Sequence, residues 1–242
     1  MSTPVRFVNG ISTQPVFTFG GDFPLPHPFS SGARPTHGVA VYADDFLDLG
    51  NTTSRTIVGA SSTLALADEV GGVALITPGA ATTVTTVHRT AAALQFQAGN
   101  RLWCQHRMAV SSVAGAVVVQ VGLSKVSAGT IATTDRLYIE KAAGSTSLNL
   151  ISVVNNVSTT LLTAFMTGMA NATYYNFGLY YDGKDLEVYV NDNLIGRVAA
   201  VTIGASAATL TNALMAPYVN ITPTASETIK LDYLLAAQEL TR

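Results

Sequence analysis

Charged residues make up only 12% of this 242-residue chain, so the side chains that could do chemistry are few and their spacing is informative. The four histidines, His27, His37, His88 and His106, are scattered, and only Cys104 and His106 have metal-ligand spacing. Two ligands on one strand do not make a zinc site, which takes three or four, and on an otherwise apolar face the pair reads as core. Cleaving a glycosidic bond needs two carboxylates facing one groove. Glu140 stands alone on its segment because Asp135 falls at odd spacing, while Asp185 and Glu187 share a face beside an Asp-Gly turn and read as a solvated hairpin. No glycine-rich phosphate loop or nucleophile elbow occurs. These patterns name no catalytic residue, no cofactor and no metal site, so the chain is expected not to be an enzyme; a hydrolase reading would rest on Glu140 or Glu187. Asp182, Asp185 and Asp192 are candidate oxygen donors to calcium, with turn formation as their plainer role. Trp103, Tyr175, Tyr181 and Tyr189 are candidates for stacking on a sugar if their rings face outward.

The elements that must position these residues read as strands. Tyr174–Asp182 places aromatic and apolar residues at alternate positions, Gly183-Lys184 makes a tight turn, and Leu186, Val188 and Val190 alternate with polar neighbours before Asn191-Asp192-Asn193 turns the chain into Leu194–Val198. Arg101–Val110 alternates with Leu102, Cys104, His106, Met108 and Val110 on one face. Gly115–Ser124 is apolar on both faces, which predicts a strand covered on both sides, either central or at an interface. Asp135–Lys141 and Ser147–Val154 form a hairpin, followed by Val157–Leu162. Thr82–His88 breaks strict alternation and predicts a bulge or an edge, Phe165–Asn171 a turn of helix, and Ala199–Leu214 a loop. Near the C-terminus, Ile229, Leu231, Tyr233 and Leu235 fall on one face opposite Lys230, Asp232 and Leu234, in a strand expected to pair centrally. Short strands at turn-bounded intervals predict an all-β antiparallel sandwich.

The order aromatic strand, Asp-Gly, Leu186–Asn191, short turn, Leu194–Gly196 resembles the concanavalin A-like and laminin G-like jelly-roll superfamily. The resemblance implies a sandwich with an exposed Asp-Gly hairpin, and no particular function. The motifs Tyr42–Phe46 and Ile229–Leu235 are also similar to lead-in and closing strands of jelly-roll structural proteins of tailed-bacteriophage virions, which implies a virion location with assembly in the host cytoplasm.

Residues 1–38 form a separate stretch, with Pro4, Pro15, Pro24, Pro26, Pro28 and Pro35 among Phe7, Phe17, Phe19, Phe23 and Phe29. Proline removes backbone donors, so this is expected to be an extended arm whose phenylalanines either fold back across its own sandwich or anchor on a partner surface, with residues 39–242 as the sandwich domain. The formal charge of −2 and the absence of a basic run give no footprint for nucleic acid. No apolar run approaches the ~20 residues that span a bilayer, so no membrane partner is expected either. Together with the arm, the low charge and the missing catalytic groups, the resemblance to virion jelly rolls implies a capsid decoration or stabilising protein that binds the major capsid protein or other virion subunits and forms a homo-oligomer. The alternative is a carbohydrate-binding, receptor-binding module of a tail or fibre.

Overall fold

The period-two segments become strands that stack as two antiparallel sheets. The computed structural model describes residues 37–44, 46, 55–67, 69, 72–113, 116–205 and 207–241. The expected arm, including Phe7, Phe17, Phe19, Phe23 and Phe29, lies outside them up to residue 36. The first sheet holds β1 (His37–Asp44), β3 (Thr63–Leu66), β4 (Ala74–Thr77), β6 (Leu102–Val110), β11 (Tyr175–Tyr181), β12 (Leu186–Val190), β13 (Asn193–Val198) and β17 (Ile229–Thr241). Its order is β13-β12-β11-β6-β17-β4-β3, with β1 pairing the C-terminal part of β17. The second sheet runs β10-β9-β8-β7-β16-β5-β2, formed by β2 (Arg55–Val58), β5 (Thr85–Arg89), β7 (Val118–Ser127), β8 (Thr130–Lys141), β9 (Leu148–Val154), β10 (Val157–Met166) and β16 (Met215–Thr222). The fold class expected from the sequence is the one observed, an antiparallel β-sandwich.

Alternation decides which side chains meet between the sheets. Leu102, Cys104, Met108 and Val110 of β6, and Leu186, Val188 and Val190 of β12, face Val119, Val121 and Leu123 of β7 and Leu137 and Ile139 of β8 in one core. Leu123, Leu150, Met108 and Ile229 are completely buried, and each such side chain contributes about 1.5–3 kcal/mol.

Four local expectations are corrected. Thr85–Arg89 lies between β16 and β2 and is not an edge. Phe165 and Met166 continue β10, so no helical turn forms there. Ala199–Leu214 contains β14 (Ile203–Gly204) and β15 (Leu210–Thr211), a two-residue parallel pair. Leu210 is fully buried, Ser152 Oγ donates to the Thr209 carbonyl at 2.6 Å, and Thr211 Oγ1 donates to Asp135 Oδ1 at 2.8 Å. The fourth correction is in β17. A register shift between Leu231 and Tyr233 marks a bulge at Asp232, where one extra residue turns the following side chains over. Leu234 and Ala236 therefore join the core, while Tyr233, Leu235 and Ala237 face outward opposite Arg107, Gln105 and Trp103.

Candidate functional site

The outer face of the first sheet gathers the polar and aromatic residues that alternate with its core. Across it, Arg197, Glu187, Tyr180, Trp103 and Ala237 lie in one register row, and Leu194, Tyr189, Gly178, Gln105 and Leu235 in the next. Gly178 has no side chain, which leaves room for Tyr189 and Gln105 on either side. The rings of Trp103 and Tyr180 stack at 5.4 Å between centroids with planes 29° apart, and the Arg101 guanidinium lies over the Trp103 ring at 5.5 Å. Such an aromatic pair contributes about 0.5–1.5 kcal/mol beyond area burial. Trp103 and Tyr189 are only 3% and 4% exposed, so Tyr180 is the more open ring of the patch. The indole Nε1 of Trp103 is buried without a hydrogen-bond partner.

A hydrogen-bonded cluster adjoins the rings. Asn191 and Asp192 both have positive φ (50° and 65°), as the two-residue turn of a tight hairpin requires. This turn brings Asp192 back over the sheet, where its Oδ1 accepts from Gln105 Nε2 at 3.1 Å and Asn176 Nδ2 at 2.8 Å. Burial raises the Asp192 carboxyl above its ordinary range, against the Gln105 hydrogen bond. Asn176 Oδ1 is buried without a partner. Beyond it, the bulge sets Asp232 in an ion pair with Arg107, whose guanidinium lies 4.5 Å over the Tyr174 ring. Tyr174 in turn donates to Glu69 at 2.7 Å, and Glu69 pairs with Lys230.

Asp185 and Glu187 share this face, and both lie against Arg197, Glu187 at 3.8 Å from Nε. Asp185 Oδ1 accepts from the Ala200 N–H at 2.6 Å, and that bond and the guanidinium hold its carboxyl below the usual range. Tyr189 donates to Glu187 at 2.6 Å. The expected solvated hairpin is therefore corrected: Asp185 is 6% exposed and engaged on both oxygens.

The other sequence candidates separate. Tyr175 and Tyr181 point into the core, which corrects their candidacy for sugar stacking: the alternation of β11 sends odd positions inward. Asp182, Asp185 and Asp192 do not form a calcium site, because the five residues of β12 hold the two turns roughly 16 Å apart at ~3.3 Å per residue. Asp182 Oδ1 instead accepts from the Lys184 and Asp185 N–H groups at 2.8 and 2.7 Å, closing the turn. Among the described residues no group of three metal-ligating side chains occurs. Glu140 lies on the outer face of the second sheet, where Gln120 donates to it at 2.7 Å. Gln105, Asn176, Tyr180, Arg107 and Asp232 were not singled out from the sequence. The alternation of Arg101–Val110 signals the first and fourth, but nothing local signals the bulge that delivers Asp232.

No family model matches the sequence, and no curated protein matches it. Solved structures do. A beta-glucanase of Bacillus licheniformis is 8% identical with a TM-score of 0.58, the match covering 81% of this chain and 97% of that one. The fold is a concanavalin A-like jelly roll. A structure from a study of human gut microbiota endo-acting O-glycanases that initiate mucin breakdown gives 9% identity and a TM-score of 0.60, covering 81% and 97%. The apo Crh5 transglycosylase gives 10% and 0.56, covering 81% and 83%. These likenesses overturn the expectation that the chain is not an enzyme. That expectation rested on a lack of paired carboxylates, whereas the architecture is one on which a glucanase and a transglycosylase are built.

Proposed function

We propose that this chain is a glycan-recognising jelly roll and that the outer face of its first sheet is the binding surface. The observation that carries the reading is the juxtaposition of a braced aromatic patch, Tyr180 on Trp103, with the Gln105–Asp192–Asn176 cluster. A sugar offers an apolar C–H face to a ring and vicinal hydroxyls to amides and carboxylates, and this surface presents both in fixed orientation. That the similar solved structures include a beta-glucanase and a mucin O-glycanase study supports a glycan as the ligand class. A glycan array probed with the wild-type chain, Tyr180→Ala and Asn176→Ala tests it. Saturable binding weakened about tenfold or more in each variant, about 1.4 kcal/mol, is expected; a wild-type chain that binds no glycan on the array refutes it.

A second reading places the chain on a phage particle, as a decoration or receptor-facing subunit. This reading rests on the resemblance of Tyr42–Phe46 and Ile229–Leu235 to virion jelly rolls; in the fold the two segments pair, with Tyr42, Ala43 and Asp44 opposite Ala236, Leu235 and Leu234. Mass spectrometry of purified particles should then find the chain at a fixed ratio to the capsid subunit.

A further inference from the structure

A surface that recognises neutral sugars needs no net charge, yet the outer face of the first sheet carries one. Among the described residues its cations are Arg101, Arg107, Arg197 and Lys230, and they stand against the carboxylates of Glu69, Asp185, Glu187, Asp192, Asp232 and Glu239, a surplus of two negative charges. Each cation is already engaged: Arg101 pairs with Glu239, Arg107 with Asp232, Lys230 with Glu69 and Arg197 with Asp185. The surplus therefore falls on two residues. Glu187 lies 3.8 Å from the Arg197 Nε, beyond hydrogen-bond distance, and accepts from the Tyr189 hydroxyl. Asp192 has no cation among the described residues; its Oδ1 accepts from both Gln105 and Asn176, which leaves Oδ2 open.

These two carboxylates border one recess. Gly178, without a side chain, is the cross-strand partner of Tyr189 on one side and of Gln105 on the other, and Tyr180, two residues along β11, is the partner of Glu187. The place above Gly178 is therefore walled by Tyr189, Gln105, Asn176 and the open ring of Tyr180, with Asp192 reaching over it from the turn between β12 and β13 and Glu187 beside the ring. Tyr180 and Gly178 are roughly 6.6 Å apart at ~3.3 Å per residue. In the row of Tyr180, Trp103 is 3% exposed and its indole Nε1 has no hydrogen-bond partner.

A neutral sugar laid over this recess would strip water from Asp192 and Glu187 and return no charge, which costs free energy. Burial already pushes the Asp192 carboxyl up. An acidic sugar would add a like charge and meet no unengaged cation among the described residues of this face. An ammonium does the opposite: its hydrogen bonds to carboxylates are roughly twice as strong as neutral ones, and it is attracted to the face of an aromatic ring. We infer that the glycan taken by this face carries a free amine, a 2-amino-2-deoxy sugar whose ammonium meets Asp192, with Glu187 beside it, while its ring lies on Tyr180. The inference rests on the glycan-recognising role proposed for this face and names the sugar class.

Calorimetric titration of the full chain tests it, with oligomers of equal length of glucosamine, N-acetylglucosamine, glucose and glucuronate at about pH 6, where ordinary carboxylates are ionised. The glucosamine oligomer should bind about tenfold more tightly than the acetylated and glucose oligomers, as a charge-assisted bond predicts. That advantage should shrink as salt is raised, and glucuronate should bind weakest. Asp192→Asn keeps an acceptor for Gln105 and Asn176 and removes the charge, so the ratio of glucosamine to N-acetylglucosamine affinity should fall toward one; Glu187→Gln should lower it too. The ratio is the readout because a purely structural role would weaken both sugars alike. Acetylated or glucuronate oligomers bound as tightly as glucosamine, or a ratio that neither variant moves, would overturn the inference and leave a glycan-binding chain. A chain that binds none of the oligomers overturns it as well, and the array then decides the broader reading.

Discussion

His106 sits sealed in the core with its Nδ1 3.8 Å from Cys104 Sγ, and burial pushes its imidazole down to about 3. The unfolded chain protonates the same ring near pH 6.5, so the sign is fixed: stability is fully present above about 6.5 and is lost as pH falls toward about 3. The slope contributed by this one group approaches about 1.4 kcal/mol per pH unit. Urea titrations between pH 7 and pH 4 should show that decline, and His106→Leu, which removes the proton site without emptying the space, should flatten it; parallel profiles would show that the ring is not the cause. Asp185 acts in the same direction lower on the pH scale. Its depressed carboxyl stabilises the fold above its unfolded value and loses that contribution as pH falls through the folded one. The core role of Cys104 and His106 was legible in the alternation of one segment. The pairing of Asp185 with Arg197 and Ala200 was not, since it depends on how β13 returns.

At the level of the strand, β7 is fixed by its neighbours on both sides. Gly122 lies between Tyr138 of β8 and Tyr218 of β16 on the outer face of the second sheet, and both rings are buried there with Ile151 and Val153. A Cβ at Gly122 would come within 2.2 Å of the Leu137 carbonyl oxygen. Backbone of a paired strand cannot give way as a side chain can, so Gly122→Ala should destabilise by at least about 2 kcal/mol. Thermal unfolding followed by circular dichroism measures this, and an unchanged midpoint would show that the strands can part at no cost. The bulge in β17 is the other element-scale feature with consequences. A strict period-two reading puts Tyr233 with Leu231, whereas the extra residue at Asp232 sends Tyr233 to the polar face and Leu234 to the core. A sequence pattern in which Tyr233, Leu234 and Leu235 are all apolar gives no hint of where the register slips.

Across the whole molecule, the chain between β13 and β16 bonds to both sheets, through Ala200 and Val201 to the turn before β12 and through Thr209 and Thr211 to β9 and β8. Asp135 is the anchor: burial alone would raise its carboxyl, but hydrogen bonds from Thr211, Asn155 and Thr134 and the charge of Lys125 more than offset that and hold it low. Thr211→Val, which keeps the shape and removes the donor, should cost about 1–3 kcal/mol in chemical denaturation at neutral pH; no loss would mean that Asp135 is satisfied without it. The sequence by itself determined the sandwich, because period-two burial, turn residues and the Asp-Gly hairpin are all local and agree with one another. It also determined the meander at 174–198 and the central place of the closing strand. Only the tertiary structure decided which outward residues share a surface. Trp103, Gln105 and Arg107 come from one strand, but Tyr180, Tyr189, Asp192 and Asp232 reach them from three other segments, through cross-strand register and one bulge. Register is a property of paired strands, fixed by burial on the opposite face, and no single strand's sequence contains it.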